Sequence, residues 1–282
     1  MCIKKRSTSY IIILFVYIIA AAVGVALYMV LPLGFILNLL IADVAATVLT
    51  FVFSLVFSNA SVYDPYWSVQ PPVILIAFAF GKALTVARVL VLVAVWLWGV
   101  RLTANWAYTF KGLGSQDWRY TMLKEKSGRL YPLVNFFGIH LVPTLIVYAC
   151  TLPAVYIFVY DTGWNAGSVI FFFVSVLAVV MQGIADIQMH IFRKKKTGSF
   201  IRTGLWKHSR HPNYLGEILM WWGVAFSLVS VSPTHWYLCI GALLNTALFL
   251  FVSIPMADKR QSAKEGFEEY RRETHMLFPI GK

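Results

Sequence analysis

Residues 205–223 read LWKHSRHPNYLGEILMWWG. Three signals meet there: a cationic loop, a corner at His211-Pro212, and an apolar run that carries Asn213 and Glu217. Proline is favoured at the first helical position, where its missing N–H leaves nothing unpaired, so the pattern predicts a helix starting near Pro212. The positive end of its dipole then faces Lys207, Arg210 and His211, an arrangement suited to an anion. Asn213 and Glu217 are four apart and share one helix face, ~6 Å apart along the axis. Residues 218–222 are apolar, which places Glu217 one turn inside a membrane helix. A carboxylate is costly there and is a functional candidate; the plainer alternative is a helix-end glutamate that reaches back to water.

Working outward, composition agrees with a membrane solvent. The chain is 59% hydrophobic and 13% charged with a mean hydropathy of +0.71, which excludes an ordinary soluble domain. Several apolar runs reach the ~20 residues that a bilayer crossing needs. The expected fold is all-α, a polytopic transmembrane helix bundle of about seven or eight spans, at 9–31, 34–58, 70–82, 84–106, 133–158, 166–192, 213–230 and 235–256. The third is short and opens with Gln70-Pro71-Pro72, so it is tilted or re-entrant. The first follows Lys4, Lys5 and Arg6 like a signal sequence, but its apolar run is too long and lacks a small-residue cleavage site. Residues 1–58 are expected to be N-terminal transmembrane helices and 59–282 the main domain with a cytoplasmic tail. Cys2, Cys150 and Cys239 lie too far apart to suggest a metal site or a disulfide framework.

Segments 1–8, 109–131, 193–212 and 257–282 hold 21 of the 24 Lys and Arg, and alternate spans place all four on one side. That bias predicts both termini in the cytoplasm. The net charge of +12 also suits anionic membrane lipids, and no nucleic-acid motif accompanies it.

Polar residues inside the spans come next. Gln182, Asp186, His190 and Arg193 fall at spacings of 4, 4 and 3, one stripe of a helix. They read as the wall of a polar cavity or as an interhelical hydrogen-bond clamp. Asp43 has no such company and reads as a packing or pairing residue. In the loop SVYDPYWS (61–68), Asp64 and Tyr66 can both hydrogen-bond a carbonyl or hydroxyl, whereas Trp67 suits a membrane interface. Arg101 and Asn105 lead into GLGSQDWRY (112–120), where Asp117 and Arg119 either bind ribose and phosphate or belong to a solvated loop. The glycines there follow no strand and make no dinucleotide fingerprint. In the tail, Phe267, Tyr270, Leu277, Phe278 and Pro279 are apolar anchors that dock onto the protein or lie on lipid.

GLWKHSRHPNYLGEILMWWG followed by a last span and FEEYRRETHMLFPIGK resembles the C-terminal domain of the steroid 5α-reductase superfamily, more closely its DUF1295-like bacterial membrane-protein branch. With YDPYWS, RLTANW and DWRY, the resemblance covers residues 63–282. It implies a bacterial inner-membrane reductase that uses NADPH on a conjugated carbon–carbon double bond. It implies that Asn213 meets the nicotinamide, that Glu217 completes the Asn-aromatic-X-Gly-Glu motif, and that Arg193 and Arg202 hold phosphates. Asp64 approximately matches an acid at the substrate carbonyl. Trp98 stands three before Arg101 where the steroid reductases carry a tyrosine, and Asp258-Lys259-Arg260 replaces a His-rich stretch, so the substrate need not be a steroid.

The expected function is reduction of an enone-like lipid from the bilayer, with Glu217, Tyr66 and Asp64 catalytic. The expected cofactor-binding set is Asn213, Arg193, Arg202, Arg210, His211, Asp186, Asp117, Arg119 and Tyr270, with no metal. Arg210-His211-Pro212 and Tyr214 also fit an S-adenosylmethionine-dependent membrane methyltransferase of the isoprenylcysteine type. A non-catalytic sterol or lipid binder is the third reading.

Overall fold

The structure, a computed structural model, describes residues 5–195 and 199–278. Cys2, Lys4 and Pro279, which enter the sequence reading, lie outside those residues. The described chain is all-α: α1 (Arg6–Val30), α2 (Phe35–Val56), α3 (Tyr66–Ala79), α4 (Val86–Thr109), α5 (Trp118–Ser127), the single turn α6 (Tyr131–Leu133), α7 (Val142–Tyr160), α8 (Ala166–Lys194), α9 (Pro212–Val231), α10 (Ile240–Leu248), α11 (Ile254–Gln261) and α12 (Phe267–Glu273). π-Helical turns lead into α7 (Val134–Leu141) and α11 (Phe249–Ser253). Seven helical stretches among the described residues are long and apolar enough to cross a membrane, which makes this a multi-pass integral membrane protein.

Two expected boundaries change. The third apolar segment is α3, 14 residues with Pro71 and Pro72 inside. At ~1.5 Å per residue it is shorter than the bilayer core and is not one of the seven. The segment 109–131, which falls between two expected spans, is helical from Trp118. Asp117 caps that helix by accepting from the Arg119 N–H at 2.9 Å, and good helix formers follow. From Trp118 to Tyr160 the helical stretch runs 43 residues, more than one crossing uses. Gly128, at φ +51, turns it.

The chain forms two compact units, Met1–Ile74 with Leu102–Leu152, and Leu75–Arg101 with Pro153–Lys282. In the first, α1 and α2 form a hairpin. Its turn is held by Asn38, which donates to Leu31 O (2.6 Å) and Tyr28 O (3.2 Å) and accepts from Leu33 N (3.1 Å). Buried Ala20 and Ala46 and the close approach of Gly24 to the Ala42 carbonyl let the two backbones pack tightly. Ile11, Leu14, Phe15 and Ile18 stay exposed on α1, the face for lipid. Arg6 donates to Ala107 O (2.6 Å) and Leu113 N to Ser9 Oγ (3.0 Å), so the start of α1 is tied to the end of α4 and the loop that follows it.

In the second unit, α8 and α9 pack along a stripe of small residues. A Cβ on Gly216 would sit 2.8 Å from Ala178 O, and one on Gly223 would sit 2.8 Å from Phe171 O. Membrane helices associate through such close contact because lipid supplies no hydrophobic drive between them. Ser175 donates to Met220 O (3.1 Å) and Asn165, the α8 N-cap, to Ser230 O (2.7 Å). Beyond α3, Lys82 and Arg88 donate to Phe158 O (2.9 and 3.0 Å) and Thr85 to Asp161 (2.8 Å), holding that turn level with the end of α7.

Candidate functional site

Helix α9 begins at Pro212, and Glu217 lies buried on its inner face at 4% exposure. Both carboxylate oxygens are fully engaged. Trp98 Nε1 lies 2.8 Å from each, Gln182 Nε2 is 2.8 Å from Oε2, and Trp221 Nε1 is 3.1 Å from Oε1. Arg101 Nη2 stands 3.6 Å from Oε2, and its Nη1 pairs with Asp186 at 2.7 Å. An indole N–H can only donate, and Gln182 Nε2 also faces the Asn213 carbonyl at 3.3 Å, so it too is a donor. Every neighbour therefore suits an ionised carboxylate. The α8 stripe places Gln182 on Glu217 and Asp186 on Arg101, while Asn213 is half-buried one turn above. The sequence reading passed over Trp98 and Trp221 as donors. The available signals were the i−3 spacing of Trp98 to Arg101 and the i+4 spacing of Trp221 to Glu217.

The cationic loop is occupied largely by the C-terminal tail. Arg210 Nη1 donates to Thr274 O (2.5 Å) and Arg271 O (3.0 Å), and its backbone N–H to His275 O (2.9 Å). Arg202 donates to Gly266 O (2.8 Å) and lies over the Phe200 ring at 4.6 Å. His211 Nε2 meets Asp258 at 2.9 Å and its ring stacks on Tyr214. Tyr270 is buried and donates to Trp206 O; burial pushes its hydroxyl up to about 12. The tail thus docks on protein. Arg202, Arg210, His211 and Tyr270, all expected at a cofactor, each serve that docking, whereas Arg193, Lys194, Lys195 and Lys207 are exposed.

In the first unit, Tyr66 donates to Asp43 Oδ1 (3.0 Å) and Gln70 to Asp43 Oδ2 (2.6 Å), so α3 supplies the company Asp43 lacked in the sequence. Asp64 accepts from Tyr120 at 2.5 Å. Asp117 and Arg119 pair with each other at 2.8 Å, and the Asp117 N–H donates to Ser61 Oγ at 3.1 Å. The preceding loop is pinned by Asn59, which donates to Leu113 O and Ser115 O. Those contacts pack residues 112–117 against Asn59 and Ser61 ahead of α5.

Burial pushes the Asp64 carboxyl up to about 6, against the pull of Arg119 and the Tyr120 hydroxyl. The folded state therefore holds a proton that the unfolded chain has released, and stability falls as pH rises from about 4 through 6. Asp64→Asn should flatten that slope in thermal unfolding scans, an effect of at most about 2 kcal/mol because Asp64 keeps some solvent contact. An unchanged slope would place the proton elsewhere.

Among known proteins, a Schizosaccharomyces pombe protein, uncharacterized protein C594.04c, is 26% identical over 270 residues, covering 84% of this chain and 75% of the yeast protein. No solved structure matches. The sequence profile described as "Protein of unknown function (DUF1295)" matches residues 50–274, a span that takes in both the Asp43-bonded Tyr66 and the Glu217 cluster, and the chain belongs to that family.

Proposed function

We propose that this protein is an NADPH-dependent reductase of a carbon–carbon double bond conjugated to a carbonyl in a lipid-like molecule. The observation that carries the reading is the Glu217 cluster: a buried carboxylate, two indoles, an amide and a guanidinium held together inside membrane helices. Two buried atoms of that cluster, Gln182 Oε1 and Arg101 Nε, have no hydrogen-bond partner among the described residues. One is an acceptor and the other a donor, and a carboxamide such as that of nicotinamide offers the complement of both. The exposed cations Arg193, Lys194, Lys195 and Lys207 give phosphates a place to bind. NADPH, when bound, supplies the hydride.

Roles are assigned unit by unit. In the second, Glu217 acts as a fixed negative charge and not as a free acid, because both of its oxygens already accept. Asn213, Gln182 and Arg101 orient the ligand. In the first, Tyr66, by turning its hydroxyl hydrogen from Asp43 to the ligand, is the proposed proton donor to a developing enolate oxygen, the atom where transition-state charge gathers. Asp64 supports the same end. We place 1–8, 109–131, 193–212 and 257–282 in the cytoplasm of what we take to be a bacterial inner membrane, a placement in which α3, although shorter than the bilayer core, carries the chain across as an eighth crossing. The packing of Gly112 against the Arg6 backbone, where a Cβ would lie 3.5 Å from the Arg6 Cα, and the bond of Arg210 to Thr274 support grouping those segments in pairs.

One observation favours a second reading. Asp186 and Glu217 set two carboxylates against the one guanidinium of Arg101, an arrangement that would suit the sulfonium of S-adenosylmethionine as well as an oxidised nicotinamide. Metabolite profiling of a deletion strain separates the two. The reductase reading expects an unsaturated carbonyl lipid to accumulate. A missing methyl group on a lipid, with no unsaturated precursor, would sink it. Tyr66→Phe should lower turnover about 10²-fold or more, the scale of a lost general acid, while NADPH affinity holds. Loss of NADPH binding in that variant would contradict the assignment of Tyr66.

A further inference from the structure

The helix leading into α7 is π-helical over Val134–Leu141, and such turns recur at functional sites. Two buried polar side chains sit five residues apart in it, Asn135 at 2% and His140 at 0% exposure. His140 Nδ1 lies 3.0 Å from the Asn135 carbonyl oxygen. A carbonyl only accepts, so Nδ1 carries the hydrogen and Nε2 presents a lone pair. The Asn135 amide is oriented by the same logic. Ser54 gives its hydroxyl hydrogen to Phe51 O at 2.7 Å, so it accepts from Asn135 Nδ2 at 3.1 Å. Asn135 Oδ1 is then the remaining acceptor.

Neither His140 Nε2 nor Asn135 Oδ1 has a hydrogen-bond partner among the described residues. The hydroxyl of Tyr63, whose ring packs 4.6 Å from that of His140, is already bonded to Thr144 at 2.9 Å. Phe51 meets the His140 ring edge-on at 5.5 Å and packs in turn against Phe136 at 5.0 Å, so neither ring offers a donor. Leaving a buried acceptor without a donor is costly, and two such acceptors on one π turn call for a donor. We infer that this π turn is a binding site for an O–H donor, supplied by an enclosed water or by the hydroxyl of an apolar alcohol. The site uses none of the residues of the Glu217 cluster and does not rest on the reductase reading.

Nitrogen NMR of the full chain in lipid nanodiscs, labelled at its six histidines, tests this. His140→Gln identifies the His140 signals; should that variant fail to fold, replacing the other five histidines in turn identifies them by elimination. An unprotonated ring nitrogen that accepts a hydrogen bond resonates upfield of a bare one. If water is the donor, Nε2 is shifted upfield from the start, responds to D2O, and ignores added oleyl alcohol. If an alcohol is the donor, Nε2 starts bare and moves upfield with oleyl alcohol but not with octadecane. Either result supports the site. An Nε2 that stays bare under both conditions, or one that carries the proton itself, overturns it.

Discussion

Glu217→Gln should destabilise the folded protein by about 3–5 kcal/mol, the scale of breaking a buried ion pair by removing one partner. The replacement amide has one acceptor oxygen and one NH2 group, yet Trp98, Trp221, Gln182 and Arg101 all present N–H groups to that side chain. At least one donor would then face another donor. Arg101 would keep only Asp186. Trp98→Phe removes one of the donors and keeps the charge, so it should cost less, about 1–3 kcal/mol. Thermal unfolding of both variants in detergent, alongside turnover, checks the order. A Glu217→Gln protein that unfolds at the wild-type temperature would mean that its carboxylate is not held in this way.

Gly216→Leu is expected to cost about 3 kcal/mol or more, at the upper end of overpacking effects. Even a methyl group at Gly216 would come within 2.8 Å of the Ala178 carbonyl, and a backbone atom cannot swing aside. The added side chain would also push on Gln182, and through it on Glu217. Gly138→Ala makes the control, since its new Cβ would meet only the Val134 side chain at 3.9 Å. Size-exclusion profiles and unfolding temperatures should show Gly216→Leu depleted or unstable and Gly138→Ala close to wild type. Equal behaviour of the two would deny that α8 and α9 pack through their glycines.

What could be read from the sequence follows from what is local in it. The start of α9 at Pro212, the depth of Glu217 and the α8 stripe of Gln182 and Asp186 all depend on residues within two turns of each other, and all are present. The bonding of Asp43 to Tyr66 and of Trp98 to Glu217 joins residues 23 and 119 apart, which periodicity cannot pair. Arg202 and Arg210 were read by charge, which points to anions. Their partners are tail carbonyls, a group present at every residue and so invisible in composition. The charges of 109–131 point to a membrane side and not to a secondary structure, which the Asp117 cap and good helix formers decide.

The most direct test of the central claim is ligand binding by the purified protein in detergent or nanodiscs, with NADPH and S-adenosylmethionine titrated separately at two salt concentrations. NADPH carries three phosphates and S-adenosylmethionine none, so the exposed Arg193, Lys194, Lys195 and Lys207 should discriminate strongly between them. Saturable NADPH binding is expected, weaker at the higher salt and weaker for NADH. It should be reduced in Arg193→Ala by about 1.5–3 kcal/mol, the worth of a charged hydrogen bond. Saturable S-adenosylmethionine binding in the absence of any NADPH binding would contradict the reductase and leave the methyltransferase reading in its place.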